Sequence, residues 1–312
     1  GRNKPITAET IVKDDLLIYA KYTPIVYSIA YNLNGGYLAN NNPTQYTIED
    51  SFELNNPTKA GYNFAGWLEV GSGLLQTKVT IYKGTTGDKT FMAAYTPNEN
   101  TIYTVEHYKM NIEGNYVLDE TEKLRGTTGT EVSPQLKQFE GFKTPTIQTI
   151  VIAGDGSSKV SYYYERKIFE FIVNNRTYLE SGTLNGLYYY GTTIEIKAKE
   201  RVGYTFKWSD GSTTYSRRFT LSDNINLTPI YTPNEDTAYT VIYEQMNLDG
   251  ITYRVKEQTV FHGTTDTTVT PLPNIYDGFI TPEPQELLIT GDGNAKLIYK
   301  YVRKKFTLTL DD

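Results

Sequence analysis

The sequence predicts a strand-dominated α+β protein built as a tandem array of small modules. Three observations predict it. A pattern of residues recurs along the chain, its segments alternate side chains with period two, and it is rich in aromatic residues although poor in hydrophobic ones overall. Of 312 residues, 38% are hydrophobic and 13% aromatic, against about 45–50% apolar residues in ordinary globular chains. Tyrosine supplies 28 of the 42 aromatic residues. Disordered chains are poor in aromatics, so this one folds, around thin cores.

The repeat decides the organisation. Asn98-Glu99-Asn100-Thr101-Ile102-Tyr103-Thr104-Val105 returns as Asn234-Glu235-Asp236-Thr237-Ala238-Tyr239-Thr240-Val241, at a constant offset of 136. One residue is inserted after Met246-Asn247, and at an offset of 137 Gly126-Thr127-Thr128 matches Gly263-Thr264-Thr265, Gly141-Phe142 matches Gly278-Phe279, Gly154-Asp155-Gly156 matches Gly291-Asp292-Gly293, and Tyr164 with Arg166 matches Tyr301 with Arg303. A second pattern alternates with the first. Gly61-Tyr62-Asn63-Phe64-Ala65-Gly66-Trp67 is matched by Gly203-Tyr204-Thr205-Phe206-Lys207-Trp208, one residue shorter. The closing tyrosines Tyr22, Tyr95, Tyr164, Tyr231 and Tyr301 come at nearly even steps of 73, 69, 67 and 70. The chain therefore reads as alternating A units, with the tryptophan, and B units, with Gly-Asp-Gly. Residues 1–23 are the tail of a preceding A unit, 24–97 an A unit, 98–166 a B unit, 167–233 a degenerate A unit, 234–303 a B unit, and 304–312 the first strand of a following A unit. On this reading the sequence is a stretch of a longer array.

Within a B unit, Tyr103 and Val105, and Tyr239, Val241 and Tyr243 in the second copy, share one face of a strand at period two. Glycine in Glu113-Gly114-Asn115 and Asp249-Gly250 supplies the positive φ of tight hairpin turns. Ser133-Pro134-Gln135-Leu136-Lys137 offers an N-cap and a proline at the first helical position, which predicts one or two turns of helix. A closing hairpin is expected from Ile150-Val151-Ile152 to Val160-Tyr162-Tyr164, turned at Gly154-Asp155-Gly156, with a twin from Leu288-Ile289 to Leu297-Tyr299-Tyr301. The unit is then a four-stranded sheet with a short helix across one face. A unit of about 70 residues buries only about 60% of its unfolded surface, so neighbours must support one another. The linkers Thr96-Pro97-Asn98-Glu99 and Thr232-Pro233-Asn234-Glu235 are short, and proline stiffens both itself and the residue before it.

Composition limits the chemistry. The net charge is −6 with both signs intermixed, which argues against a nucleic-acid binder. No run of 18 apolar residues is present, hence no membrane insertion through a helix. Absence of cysteine removes disulfides, thiol nucleophiles and thiolate metal sites. The two histidines are not shared between copies: His107 stands where the second copy has Tyr243, and His262 where the first has Arg125. Each Gly-Asp-Gly loop offers one carboxylate, whereas calcium takes six to eight oxygens, so the loops read as turns. Gly-Thr-Thr at Gly84, Gly126, Gly191 and Gly263 lacks the lysine of a phosphate loop and reads as a strand-to-loop turn. No catalytic, cofactor-binding or metal-binding residue stands out, and no enzyme is expected.

The A pattern, Tyr27-Ser28-Ile29-Ala30-Tyr31-Asn32-Leu33-Asn34-Gly35-Gly36 followed by Gly61 through Trp67, resembles the Listeria–Bacteroides repeat, the B-repeat of internalin-type bacterial surface proteins (the family's letter, not that of the B units). Residues 167–233 depart from it, lacking the Asn-Gly-Gly turn and the glycine before Trp208. The B units resemble the mucin-binding-protein repeats of Gram-positive adhesins. The resemblance implies β-grasp-like, ubiquitin-type modules in an elongated array and a place in cell-wall or secreted proteins as a spacer or stalk; it supplies no catalytic residues. Gly61, Tyr62, Phe64 and Trp67, with Gly203, Tyr204, Phe206 and Trp208, are its structural motif. The expected partners are neighbouring repeats of the same chain. The alternative is an adhesin that binds host glycan or protein through exposed tyrosines, with Tyr163 and Tyr189 as contacts, since alternation along a strand turns Tyr163 away from Tyr162 and Tyr164. Gram-positive surface modules also carry intramolecular amide cross-links between a buried lysine and an asparagine; every unit here has both residue types.

Overall fold

The computed structural model describes residues 5–310; residues 1–4 of the expected leading tail and 311–312 of the expected final strand lie outside the described residues. The protein is strand-dominated, with many small sheets. Among the described residues the helical structure is one three-residue 3₁₀ turn, Arg176–Tyr178. The chain divides into two compact units. One runs through Tyr108 and includes Leu118–Lys137 and Pro145–Tyr163; the other takes Lys109–Val117, Gln138–Thr144 and the chain from Tyr164 onward.

In the first unit, residues 5–26 carry no strand and are almost wholly exposed. A five-stranded sheet follows, in the order Gln45–Tyr46, Tyr27–Asn32, Lys89–Pro97, Tyr62–Glu69, Leu75–Gln76. Its first long strand and its last lie side by side and parallel, with Ile29 opposite Lys89 and Tyr31 opposite Phe91. Trp67 is completely buried among Ile29, Tyr46, Leu54, Val79, Ile81 and Phe91. The register between Tyr62–Glu69 and Lys89–Pro97 slips between Phe64 and Gly66. Gly66 holds φ +147°, and a Cβ there would lie 2.9 Å from the Gln76 carbonyl oxygen. The extra residue of this A motif is thus a β-bulge. The shorter motif at 204–208 pairs with Pro229–Pro233 without a slip.

Thr101–Met110 is the centre of the next sheet, flanked by Lys159–Tyr164 and Tyr116–Gly126. Tyr103 and Val105 face the core as the alternation requires, and Gly114 turns the hairpin at φ +87°.

In the second unit, residues 168–233 form three small sheets. Ile168–Val173 pairs antiparallel with Gly186–Tyr189 and parallel with Ile225–Leu227. Thr193–Ala198 lies between Leu179–Gly182 and Ser216–Thr220. Phe171, Ile194, Trp208 and Leu221 are fully buried between them. Residues 237–303 form a four-stranded sheet in the order Tyr253–Gly263, Thr237–Met246, Ala295–Arg303, Phe279–Ile280. Its first and last strands are again adjacent and parallel, Tyr239 opposite Ala295 through Gln245 opposite Tyr301. Tyr243, Tyr299 and Tyr301 fill its core.

Two expectations for the B units are corrected. Ser133–Lys137 is not helical but irregular, with no regular secondary structure. Its chain is held open from both sides: the Tyr162 hydroxyl donates to the Pro134 carbonyl at 2.9 Å, and Ser133 Oγ lies 2.8 Å from Thr149 Oγ1. The closing hairpin is not formed either. Ile150–Val151 pairs with Glu131–Val132, and Leu287–Leu288 with Thr268–Val269. In the second copy, parallel pairing with Thr237–Met246 takes one edge of the closing strand and Phe279–Ile280 the other. No edge remains for Leu287–Leu288.

Candidate functional site: the joints between repeats

Among the described residues no group of three histidine, cysteine, aspartate or glutamate side chains is placed to hold a metal. Several of the residues that the repeat holds in common gather instead where one sequence unit meets the next.

In the first unit of the structure, residues 24–97 meet 98–166 through glycines. A Cβ on Gly61 would fall 2.2 Å from Gly154 Cα, and one on Gly154 would fall 2.0 Å from the Ala60 carbonyl oxygen. Real side chains cannot approach so closely; only bare backbone fits. Gly61 also holds φ +75°, a region that costs other residues about 1–2 kcal/mol. Hydrogen bonds close the contact: Asn98 N–H donates to Gly61 O at 2.8 Å, and Thr128 N–H to Asn98 O at 2.9 Å. Thr101 Oγ1 and Thr128 Oγ1 lie 2.6 Å apart and are buried.

The second unit of the structure builds the same joint between 167–233 and 234–303. A Cβ on Gly203 would lie 2.3 Å from Gly291 Cα, and one on Gly291 would lie 2.1 Å from the Val202 oxygen. Asn234 N–H donates to Gly203 O at 2.8 Å and Thr265 N–H to Asn234 O at 2.9 Å. Thr237 and Thr265 hydroxyls lie 2.7 Å apart. A polar clasp is added here. Asp266 stands where the first joint has Gly129, at φ +58° against +79°. Its carboxylate accepts from the Tyr204 hydroxyl and lies 3.6 Å from Arg201, whose guanidinium is 3.9 Å over the Tyr204 ring. The hydrogen bond to that carboxylate holds the Tyr204 phenol above its ordinary pKa.

A different joint links 98–166 to 167–233, and its residues lie in the second unit of the structure. Arg166 bridges two carbonyls: its Nε donates to Met110 O and its Nη1 to Tyr190 O, each at 2.6 Å. The planar fork of arginine suits two fixed acceptors. The Tyr190 ring covers Gly141 so closely that a Cβ there would meet it at 2.1 Å. Lys167 N–H donates to Gly141 O at 2.9 Å, and Tyr190 N–H to Lys167 O at 2.8 Å.

The motif residues named from sequence fall into two roles. Trp67 and Trp208 are core residues, each fully buried. Phe64 meets Trp67 edge-on at 5.7 Å, and Phe206 meets Trp208 at 5.5 Å. Gly61, Gly203 and Tyr204 belong to the joints, and the Tyr62 hydroxyl lies 3.1 Å from the place of a Cβ on Gly129. Tyr163 is 48% exposed between the fully buried Tyr162 and Tyr164, and its ring stacks on Tyr108 at 4.9 Å. Tyr189 is half-buried on a shallow groove with Ile112, Ile168, Leu187 and Thr192. No lysine is buried among the described residues, so the setting of an intramolecular amide cross-link is not met there. His107 is fully buried and packed on Tyr162 at 5.8 Å.

Sequence reading missed the joints' threonines and the first glycine of each Gly-Asp-Gly. The signal was the offset of 137 shared by Thr128 with Thr265 and Gly154 with Gly291, which a turn alone does not require.

No curated protein matches the chain. Crystal structures of the shaft pilin SpaA from Lactobacillus rhamnosus GG, one of them a double mutant, align with 92% of this chain and 100% of theirs, at 10% identity and a TM-score of 0.10; a likeness of that size carries no argument. Residues 27–94, the stretch that holds the five-stranded sheet and the buried Trp67, match the model of the Listeria-Bacteroides repeat domain.

Proposed function

We propose that the chain is a non-catalytic repeat region of a bacterial cell-surface or secreted protein, serving as a stalk that presents other domains. The observation that carries the reading is the joint. Two A-to-B contacts, one at Gly61 and the other at Gly203, use the same glycine-to-glycine approach and the same pair of backbone hydrogen bonds. A linker that only connects domains has no use for such geometry; a spacer that must hold direction does. The family match at residues 27–94 supports the surface-protein setting. The unit boundaries are those read from the repeat. For 24–97 and 234–303 the proposed fold is β-grasp-like, supported by adjacent parallel first and last strands, with the helix replaced in 234–303 by irregular chain.

Small-angle scattering tests the proposal. Four units in line, each about 28 Å across, give a radius of gyration of about 30 Å, whereas one compact body of this length gives about 20 Å. The larger value is expected; the smaller overturns the stalk reading.

The exposed stack of Tyr163 on Tyr108 favours a second reading, an adhesive module for host glycan or protein, because rigid aromatic faces suit such ligands. Binding on a glycan array that is lost on Tyr163→Ala would select it.

A further inference from the structure

The B-to-A joint at Arg166 has a twin whose B side is complete and whose other side is open. Arg303 Nε donates to Met246 O at 2.9 Å, and its guanidinium lies 5.1 Å from the Phe279 ring. Arg166 does the same with Met110 O and with Phe142, at 5.0 Å. Lys304 N–H donates to Gly278 O at 2.9 Å, as Lys167 does to Gly141 at 2.9 Å. Gly278 holds φ +82° where Gly141 holds +78°.

The difference lies outward. At Gly141 a Cβ would strike the Tyr190 ring; at Gly278 it would meet nothing within 4 Å. Arg166 reaches on to the Tyr190 carbonyl, whereas the Arg303 side chain makes no second hydrogen bond among the described residues. The chain beyond Arg303 points the same way. Phe306, Leu308 and Leu310 stand at the repeat's offset of 137 from Phe169, Phe171 and Val173. Phe171 and Val173 are buried in a core, whereas Phe306, Leu308 and Leu310 are 83%, 83% and 82% exposed. Residues 304–310 form no strand here, although their period-two apolar side chains would make one face of one, and they have nothing to pack on.

We propose that Gly278, Phe279 and Arg303, with Lys304–Leu310, form a docking face for a further repeat of the 167–233 type. That repeat supplies a tyrosine ring over Gly278 and the backbone carbonyl of the same tyrosine to Arg303, and it covers the apolar face of Lys304–Leu310. The occupant is fixed by continuity with the joint already built at Arg166, whose two sides have these chemistries. The inference rests on the alternating-repeat reading above, and its test is separate: scattering judges the stalk, thermal unfolding judges the face.

The test extends the full chain by replacing the residues after Arg303 with a second copy of residues 167–303, so that the appended 167–233 segment keeps its joint to a following unit. Arg303→Ala and Arg303→Lys are then made in the extended and the original chain. Lysine keeps the charge but cannot bridge two carbonyls with a planar fork. The expected result is a folded appended repeat whose melting midpoint falls by several degrees on either substitution, with a clearly smaller change in the original chain. Equal changes in the two chains overturn the proposal. So does an appended copy that stays unfolded, because its 167–233 segment then has on both sides the contacts that residues 167–233 have in the chain.

Discussion

At Tyr31, Tyr95, Tyr162 and Tyr188 the ring packs into or against a core while the hydroxyl donates to a loop carbonyl: Pro43 at 2.8 Å, Leu33 at 3.0 Å, Pro134 at 2.9 Å and Leu184 at 2.8 Å. One residue then supplies aromatic burial and a loop tether worth about 0.5–1.5 kcal/mol, which is how a chain with little apolar content orders long irregular segments. His107 takes the core place that Tyr243 holds in the second copy. It lies against Tyr162 as Tyr243 lies against Tyr299 at 6.1 Å in the second copy. Burial pushes its imidazole below the ordinary histidine pKa; the Lys137 ammonium adds to this, and Glu122, Glu120 and Asp119 oppose it. The folded form near neutrality is therefore the uncharged ring. In the unfolded chain the pKa returns to about 6.5. Between the folded value and about 6.5 the unfolded chain binds more protons, so stability falls as pH falls. The loss begins near pH 6.5, levels off below the folded value, and cannot exceed about 1.4 kcal/mol per pH unit. His107→Tyr is expected to remove it. Urea midpoints measured from pH 7.5 to 5 should show the variant gaining on the wild type as pH falls. A difference that stays flat with pH would mean that His107 titrates alike in both states.

Between the strands of the B unit the decisive segment is the crossover. Tyr299 Oη donates to Pro271 O and accepts from Gln285 N–H at 3.0 Å, as Tyr162 does with Pro134 O and, at 3.3 Å, with Gln148 N–H. One hydroxyl thus ties both ends of the irregular chain that stands where a helix was expected. Tyr299→Phe is expected to cost about 1–3 kcal/mol, because a part-buried carbonyl and amide lose their partner together. Hydrogen exchange should rise across residues 271–285 while the amides of 239–245 keep their protection. Uniform loss of protection would place the effect in the sheet instead. The strands themselves were legible: the alternation of Tyr239, Val241 and Tyr243 is local, and Gly250 holds φ +71° at its hairpin as glycine in a turn should. Ser133-Pro134 was misread because a cap and a proline are local signals, whereas the bond from Tyr162, 28 residues away, is not. The expected hairpin failed for a related reason. Local order makes Leu287–Leu288 the natural neighbour of Ala295–Arg303, but the closing strand pairs in parallel with Thr237–Met246, at the opposite end of the unit. The joints were legible only as unexplained identity between copies.

In a repeat protein stability is a sum of unit terms and nearest-neighbour terms, and the joints at Gly61, Gly203 and Arg166 are where the second kind is expected. The two tryptophans are placed to read it. Trp67 and Trp208 are the only ones in the chain and both are fully buried, one in residues 24–97 and the other in 167–233. Trp67→Phe leaves Trp208 as sole reporter, and Trp208→Phe leaves Trp67. Gly291→Ala adds one methyl group in residues 234–303, against the Val202 carbonyl at 2.1 Å. Because the obstacle is backbone, the joint must open or shift, at a cost of about 1–3 kcal/mol for a forced methylene. At about 4–8 °C per kcal/mol for a unit of this size, the Trp208 transition should fall by several degrees although the substitution lies outside its own unit. The Trp67 transition should stay within about a degree, since its supporting contact is the one between Gly61 and Gly154. Gly154→Ala should reverse the pattern, lowering the Trp67 midpoint and sparing Trp208. If either substitution moves both reporters equally, the chain melts as one cooperative body. If neither moves its neighbour's reporter, the joints are contacts without energetic consequence, and the case for a directed spacer loses the observation on which it stands.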